Sequence, residues 1–120
     1  MSHSNVSPEE RTAALITYLL TAFLGIIGAV IGWAVFKDKG PFAKDQTTEA
    51  LNWAISLTLA FIALWVVVFV LAMVSPKLAI VGTLLYMVLA LAGFILSIIA
   101  AIKANGGTAF RFPFALRLVK

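Results

Sequence analysis

Three long runs without a charged residue dominate the pattern of this chain, at positions 12–36, 50–76 and 78–102. The runs are 25, 27 and 25 residues long and together make up 77 of the 120 residues. A helix needs about 20 apolar residues to cross the hydrocarbon core of a bilayer. Each run is long enough for one crossing, so the pattern predicts a membrane protein with three transmembrane helices.

Capping and helix-breaking residues mark where these helices begin and end. Ser7 is the predicted N-cap of the first helix, with Glu10 as its partner in a capping box. Asp45 is the predicted N-cap of the second helix. Pro76 marks a hairpin turn, and Gly106 ends the third helix. The predicted helices cover 8–36, 46–75 and 78–104, and a tail covers 105–120.

The tail combines apolar and basic side chains. Phe110, Phe112 and Phe114 are separated by single residues, and Arg111 and Arg117 lie among them. Aromatic and basic side chains together favour the membrane interface, so we expect the tail to lie along the membrane surface, with a disordered tail as the alternative. The predicted fold class is all-α: one domain, an integral membrane bundle of three transmembrane helices with an interfacial amphipathic tail.

The composition agrees with a membrane protein. The chain is 62% hydrophobic and 12% charged, whereas soluble domains carry roughly 25% charged residues. A formal charge of +4 could indicate nucleic-acid binding, but the basic residues flank the predicted spans, where they meet anionic lipid head groups. We therefore expect the lipid bilayer as a partner and no nucleic acid.

Basic residues are divided unevenly between the two ends that three crossings would create. Arg11 and Lys77 fall at one end and seven basic residues at the other. Lys and Arg are retained in the cytoplasm. We therefore expect a multi-pass protein of the bacterial cytoplasmic (inner) membrane with the N-terminus outside and the C-terminus cytoplasmic. The seven residues are Lys37, Lys39, Lys44, Lys103, Arg111, Arg117 and Lys120.

Small residues form a stripe on the first and on the third predicted helix. Gly28 and Gly32 make a G-x-x-x-G pair on the first, and Gly93 lies in a stripe between Gly82 and Ala101 on the third. Lipid does not drive helices together, so close packing of small residues contributes more. We predict that both stripes are helix-contact surfaces, facing the same chain or another subunit.

A polar stripe leads into the second predicted helix, and its members are Asp45, Glu49, Asn52 and Ser56. Steps of 4, 3 and 4 place these residues on one helical face. Polar groups at membrane depth are costly and usually face protein or water. We expect Glu49 to pair with Lys37 or Lys103 and Asn52 to bond a neighbouring helix. The alternative is a proton or substrate site at the mouth of a cavity.

No cluster of residues in the sequence predicts catalysis, a cofactor or a metal. The chain has no cysteine, and its single histidine is His3. Asp38, Asp45 and Glu49 are interleaved with lysines, whereas a hard cation needs several converging oxygens. We therefore expect no enzymatic activity, no cofactor and no metal site.

The loop and tail motifs resemble those of a known family. They read IGWAVFKDKGPF at 31–42, EALN at 49–52, IIAAIKANG at 98–106 and FRFPF at 110–114. In these motifs the chain resembles a widespread bacterial family of small membrane proteins of unknown function, which is similar to the twenty-kilodalton Tic subunit of the chloroplast inner-envelope import machinery. The resemblance implies a three-span bundle and a link to translocation. The chain departs from it at Gln46, where the family often has His, and at Ala54, where it often has Gln.

Two functions follow from these observations. The first is a non-catalytic accessory or assembly role, in which the helices pack with a second copy or with other membrane proteins. The second is an oligomeric pore or a protein-translocation component of the Tic-twenty-like type, because three helices alone cannot enclose a wide channel. The candidate functional or packing residues are Lys37, Asp38, Pro41, Phe42, Asp45, Glu49, Asn52, Ser56, Gly28, Gly32, Gly93, Lys103, Asn105 and Arg111.

Overall fold

Helices account for most of the chain in the computed structural model, which describes residues 6–113 and 115–119. Within these residues there is no strand, so the predicted all-α class is confirmed. His3, Phe114 and Lys120, which entered the predictions above, lie outside the described residues. In chain order the helices are α1 (Pro8–Leu24), α2 (Ile26–Phe36), α3 (Pro41–Val74) and α4 (Pro76–Asn105), with a 3-10 turn (Lys37–Lys39) between α2 and α3.

The first apolar run does not form one helix, which corrects the predicted helix over 8–36. Gly25 interrupts it with φ of 63° and ψ of −137°, a conformation that residues with a Cβ rarely adopt. The chain reverses at this residue, and α2 returns along α1. A Cβ atom added at Gly32 would lie 2.5 Å from Oγ1 of Thr17. In a straight helix these two residues would be about 22 Å apart at 1.5 Å per residue, so the contact requires a hairpin.

Two of the predicted packing glycines lie inside this α1–α2 hairpin. A Cβ at Gly28 would overlap the backbone carbonyl of Leu20, and a Cβ at Gly32 would overlap the side chain of Thr17. Thr17 and Thr21 are also buried, and their hydroxyls donate to the carbonyls of the preceding turn of α1. The G-x-x-x-G pair therefore allows close contact with another segment of the same chain.

Glu10 connects the base of the hairpin to α3. Ser7 caps α1 as predicted, since its Oγ accepts from the backbone N–H of Glu10 at 3.2 Å. The Glu10 carboxylate extends to the start of α3, where Oε1 accepts from the N–H of Phe42 at 3.0 Å and of Ala43 at 3.2 Å. A carboxylate is favourable there because it satisfies free N–H groups and faces the positive end of the helix dipole. α3 thus begins at Pro41, and the prediction of Asp45 as its N-cap is wrong.

α3 and α4 form a long antiparallel hairpin around Ser75, where the sequence predicted a turn. Gly82 lies against Val68, and Gly93 lies against Leu57, as the predicted small-residue stripe requires. These two helices, of 34 and 30 residues, are the ones in the described chain that are long and apolar enough to cross a membrane. The structure therefore shows two candidate crossings where the sequence predicted three.

The bundle is wide at one end and narrow at the other. At the wide end α1, α2, α3 and α4 pack together around small buried residues, including Ala14, Ala50 and Ala101. The α1–α2 hairpin ends at Gly25, which lines one groove together with Phe61 and Ala90. Beyond that level, among the described residues, only α3 and α4 continue to the turn at Ser75.

Both ends of the described chain lie at the wide end. Lys39 Nζ is 2.9 Å from Glu9 Oε1, and Arg111 of the tail pairs with Asp45 near the start of α3. The expectation that the two termini face opposite sides depended on three crossings, and the reversal at Gly25 removes the odd crossing. The Lys77 turn is at the opposite, narrow end.

The contact at Gly28 yields a test of the hairpin. Gly28→Ala should lower the free energy of unfolding in detergent by about 1–3 kcal/mol, because the added methyl collides with the carbonyl of Leu20. Gly106→Ala is the matched control, since its Cβ would meet no atom closer than 3.5 Å. Thermal unfolding followed by circular dichroism measures both. Equal midpoints for the two variants would contradict the hairpin.

The position of the N-terminal segment can be tested in native membranes. The chain has no cysteine, so Val6→Cys, Lys44→Cys and Lys77→Cys each give one reactive thiol. A membrane-impermeant maleimide should label Val6→Cys and Lys44→Cys from the same side, and Lys77→Cys from the other. Labelling of Val6→Cys and Lys77→Cys from the same side would instead support the three-span arrangement.

Candidate functional site

The polar face near the start of α3 binds the C-terminal tail. After α4 ends at Asn105, Gly107 takes a φ of 83°, and residues 108–113 and 115–119 run back along α3 without regular secondary structure. This arrangement differs from the predicted surface tail, because the main chain of the tail is hydrogen-bonded to side chains of the bundle. The α3 residues that bond or pair with the tail are Asp45, Gln46, Glu49, Asn52 and Ser56.

Gln46 joins α1, α3 and the tail. Its side chain is fully buried, and its Oε1 accepts from the hydroxyl of Tyr18 at 2.7 Å and from the N–H of Phe110 at 2.9 Å. Its Nε2 donates to Oδ2 of Asp45 at 2.7 Å. A buried amide with all these partners satisfied holds three segments in one arrangement, since a lost partner would leave a buried polar group unpaired.

Glu49 is the buried carboxylate of the site, with 3% of its side chain exposed. Its Oε2 accepts from the N–H of Phe112 at 2.7 Å and lies 3.2 Å from Nη2 of Arg117. The prediction that Glu49 pairs with Lys37 or Lys103 is therefore wrong. The prediction named Lys37 and Lys103 because both were expected at the same membrane depth as Glu49, whereas the cation that pairs with Glu49 is Arg117 of the tail.

Asn52 and Ser56 bind the last part of the tail. Asn52 makes a two-way contact with Val119, donating from Nδ2 to its carbonyl at 2.9 Å and accepting its N–H at Oδ1 at 2.7 Å. Ser56 Oγ accepts from the N–H of Leu116 at 2.7 Å. Asn52 thus bonds the tail, where the sequence suggested a neighbouring helix. Both side chains bond to backbone N–H or C=O groups of the tail. A segment without regular secondary structure does not pair these groups itself, and unpaired groups are costly near the membrane.

Phe112 anchors the tail in the core. It is 2% exposed, and its ring stacks on Trp53 with centroids 4.4 Å apart and planes at 9°. Tyr18 and Phe110 contact the same ring at 5.8 and 4.8 Å. Complete burial of one aromatic side chain contributes several kcal/mol, so Phe112 makes a large apolar contribution to the docking of the tail.

Asp45 and Arg111 form a two-pronged ion pair at the edge of the site. Nη1 and Nη2 of Arg111 donate to the two carboxylate oxygens at 2.9 and 2.6 Å. The hydrogen bond to Asp45 raises the pKa of Arg111. Because both side chains are about half exposed, water screens the pair, and it contributes at most about 1 kcal/mol.

The other predicted site residues are distributed around the wide end and along α4. Lys37 lies over the Trp33 ring, 4.4 Å from its centroid, and Asp38 is exposed in the 3-10 turn. Pro41 begins α3, while Phe42 packs against the core. The remaining residues are Gly28 and Gly32 in the α1–α2 hairpin, Gly93 against Leu57 in the middle of α4, and Lys103 and Asn105 exposed in the last turn of α4.

A family model described as the magnetosome magnetite crystal formation protein family, MamF/MmsF, matches residues 9–119. The chain belongs to this family. The match covers all four helices apart from Pro8, and the tail as far as Val119. No curated protein and no solved structure matches the chain.

Membership in the MamF/MmsF family corrects the resemblance drawn from the loop and tail motifs. The family model assigns the chain to the magnetosome family and not to a Tic-twenty-like family. Motifs such as KDKGPF and EALN are short, and in this structure they serve helix starts and tail docking. The implied link to protein translocation therefore no longer applies to this MamF/MmsF protein.

Several residues of the site escaped the sequence analysis. Tyr18, Gln46 and Trp53 were not among the candidates, and Phe112 and Arg117 were assigned to a surface tail. One signal was present, because Gln46 adds an amide to a helical face that already carries Asp45, Glu49 and Asn52. The tail residues that bond to that face are 60 or more residues away along the chain, and periodicity does not identify them.

Docking of the tail can be measured by limited proteolysis. Phe112→Ala should release the tail of this MamF/MmsF protein and speed trypsin cleavage after Arg111 and Arg117, because truncating a buried Phe costs about 3–5 kcal/mol. Leu118→Ala is the control, since Leu118 is 60% exposed. The two cleavage sites should stay protected in that control. Equal cleavage rates in the two variants would show that Phe112 does not hold the tail.

Proposed function

We propose that this chain is a non-catalytic protein of the magnetosome membrane that supports magnetite crystal formation by packing with itself or with other membrane proteins. The family match over residues 9–119 carries this proposal. An accessory role also agrees with the two apolar helices, which offer most of their surface to the bilayer.

The arrangement of charged groups supports an assembly role. Glu10, Asp45 and Glu49 each bind another segment of the same chain, at α3 or in the tail. Within residues 6–113 and 115–119 no three acidic or His side chains converge as a metal site would require. The polar groups of the wide end thus serve chiefly to hold segments of the chain together. The large exposed surface of the α3–α4 hairpin is apolar.

The apolar surface of the α3–α4 hairpin is the proposed contact area for a second copy or another membrane protein. Trp65, Phe69 and Met73 are 62%, 58% and 75% exposed on α3. Leu84 and Val88 are 56% and 65% exposed on α4. Between membrane helices such surfaces gain van der Waals contacts without a large hydrophobic contribution, so association there is specific only where shapes match.

The distribution of basic residues supports an orientation with the wide end in the cytoplasm. Of the eight Lys and Arg residues in the described chain, seven are at the wide end and Lys77 is at the narrow end. Positive residues favour the cytoplasmic side. Both termini would then be cytoplasmic, which revises the orientation expected from three crossings.

Deletion of the gene for this protein in its own magnetite-forming host tests the proposed function. Loss of the protein should change the size or number of magnetite crystals seen by electron microscopy. Leu118→Ala should restore the normal crystals, and Phe112→Ala should not, because the released tail disturbs the wide end. Unchanged crystals in the deletion strain would contradict a role in crystal formation.

Purification in mild detergent tests the assembly role separately. A tagged copy should recover an untagged second copy or another protein of the same membrane, after cross-linking in the intact cell. A strictly monomeric protein without companions, in a strain whose crystals do depend on it, would exclude assembly as the mechanism.

A further inference from the structure

The depth of the α1–α2 hairpin can be deduced from its neighbours. Its turn at Gly25 lines a groove with Phe61 of α3, and Phe23 contacts Phe94 of α4 edge-to-face at 5.3 Å. From Phe61 to Val74, the end of α3, the helix rises about 20 Å at 1.5 Å per residue. Over that length the described chain has two helices only.

Trp33 marks the other boundary of the lipid. It lies eight residues beyond Gly25 on α2, a rise of about 12 Å, and the ammonium group of Lys37 covers its ring. Trp with an adjacent Lys is typical of the membrane–water interface. Adding this rise to the 20 Å above gives about 32 Å, close to the thickness of roughly 30 Å expected for the hydrocarbon core.

The exposed surface of the hairpin agrees with this depth. Phe23, Ile27 and Val30 are 70%, 66% and 46% exposed near the turn, and such a surface is unfavourable in water. Since each leaflet contributes about 15 Å of hydrocarbon, a hairpin that enters by about 12 Å stays within one leaflet. It is inserted from the side that carries both ends of the chain.

The two leaflets therefore meet different cross-sections of the protein. A helix with its side chains is about 10–12 Å wide and takes up about 80–110 Å² of membrane area. Four helices in one leaflet and two in the other differ by roughly 160–220 Å² per molecule. When the protein widens one leaflet more than the other, the bilayer is less strained if it is convex on the side of the widened leaflet.

We propose that this protein is a membrane wedge that prefers, and as its density rises promotes, a bilayer that is convex on the side of the two chain ends. The partner is the lipid surface itself, and the wedge is the α1–α2 hairpin packed beside α3 and α4. This activity is independent of magnetite and goes beyond the proposed assembly role.

The orientation of the protein in vesicles of different size tests the wedge. Lys44→Cys and Lys77→Cys place one thiol at the wide and the narrow end, at exposed positions that do not disturb the core. Each variant is mixed with phosphatidylcholine, which carries no net charge, and vesicles form as detergent is removed. The vesicles are then separated into small (about 30 nm) and large (about 400 nm) fractions, because curvature-dependent insertion is strongest at small radius.

Labelling with an impermeant maleimide before and after detergent addition gives the outward fraction for each end. In small vesicles the outward fraction of Lys44→Cys should rise and that of Lys77→Cys should fall, changing their ratio by about twofold or more relative to large vesicles. A ratio independent of diameter, or one that shifts the other way, would overturn the wedge. Because lipid and protein are the only components, failure here leaves the role in crystal formation unaffected.

Discussion

The reversal at Gly25 is the constraint on which the arrangement of the molecule depends. A positive φ at this residue turns an uninterrupted apolar run into two antiparallel helices. Their contact depends on Gly28 and Gly32, which let α2 approach the backbone of α1. Because the chain returns to its starting side, Glu10 can cap α3 and the tail can meet the same end of the bundle.

The tail completes the wide end as a structural part of the bundle. α1, α2 and α4 pack against α3, and the described tail residues 110–113 and 115–119 lie along its polar face. Side chains of α3 provide hydrogen bonds to the backbone of the tail, which has no regular secondary structure and would otherwise lack these bonds near lipid. Glu49 and Gln46 are buried in this contact, and removing the partner of either would leave a costly unpaired group. The polar face of α3 therefore has a structural role, which is to hold the tail against the bundle.

Features governed by local chemistry were predictable from the sequence. Ser7 caps α1, the turn at Ser75 and Pro76 joins two long helices, and Gly106 is the C-cap of α4. The stripe from Asp45 to Ser56 was also visible, since helical periodicity places its members on one face. These features depend on neighbours within a few residues.

Features governed by long-range contacts were not predictable. A run of 25 uncharged residues fits one straight crossing as well as a hairpin, and hydropathy does not distinguish them. The difference lies in the backbone angles of Gly25, which a glycine allows but does not require. The partners of Glu49 and Asn52 likewise come from the tail, and their identity depends on the reversed path of the chain.

The distance between Thr12 and Asp38 tests the hairpin most directly. Both residues are exposed, and Thr12 lines the same groove as Lys39 at the base of α1 and α2. Nitroxide labels on Thr12→Cys and Asp38→Cys, measured by pulsed electron paramagnetic resonance in lipid, should be within about 20 Å, because packed helices lie 8–10 Å apart. A separation near 39 Å, the rise of a straight helix over 26 residues at about 1.5 Å each, would contradict the reversal at Gly25.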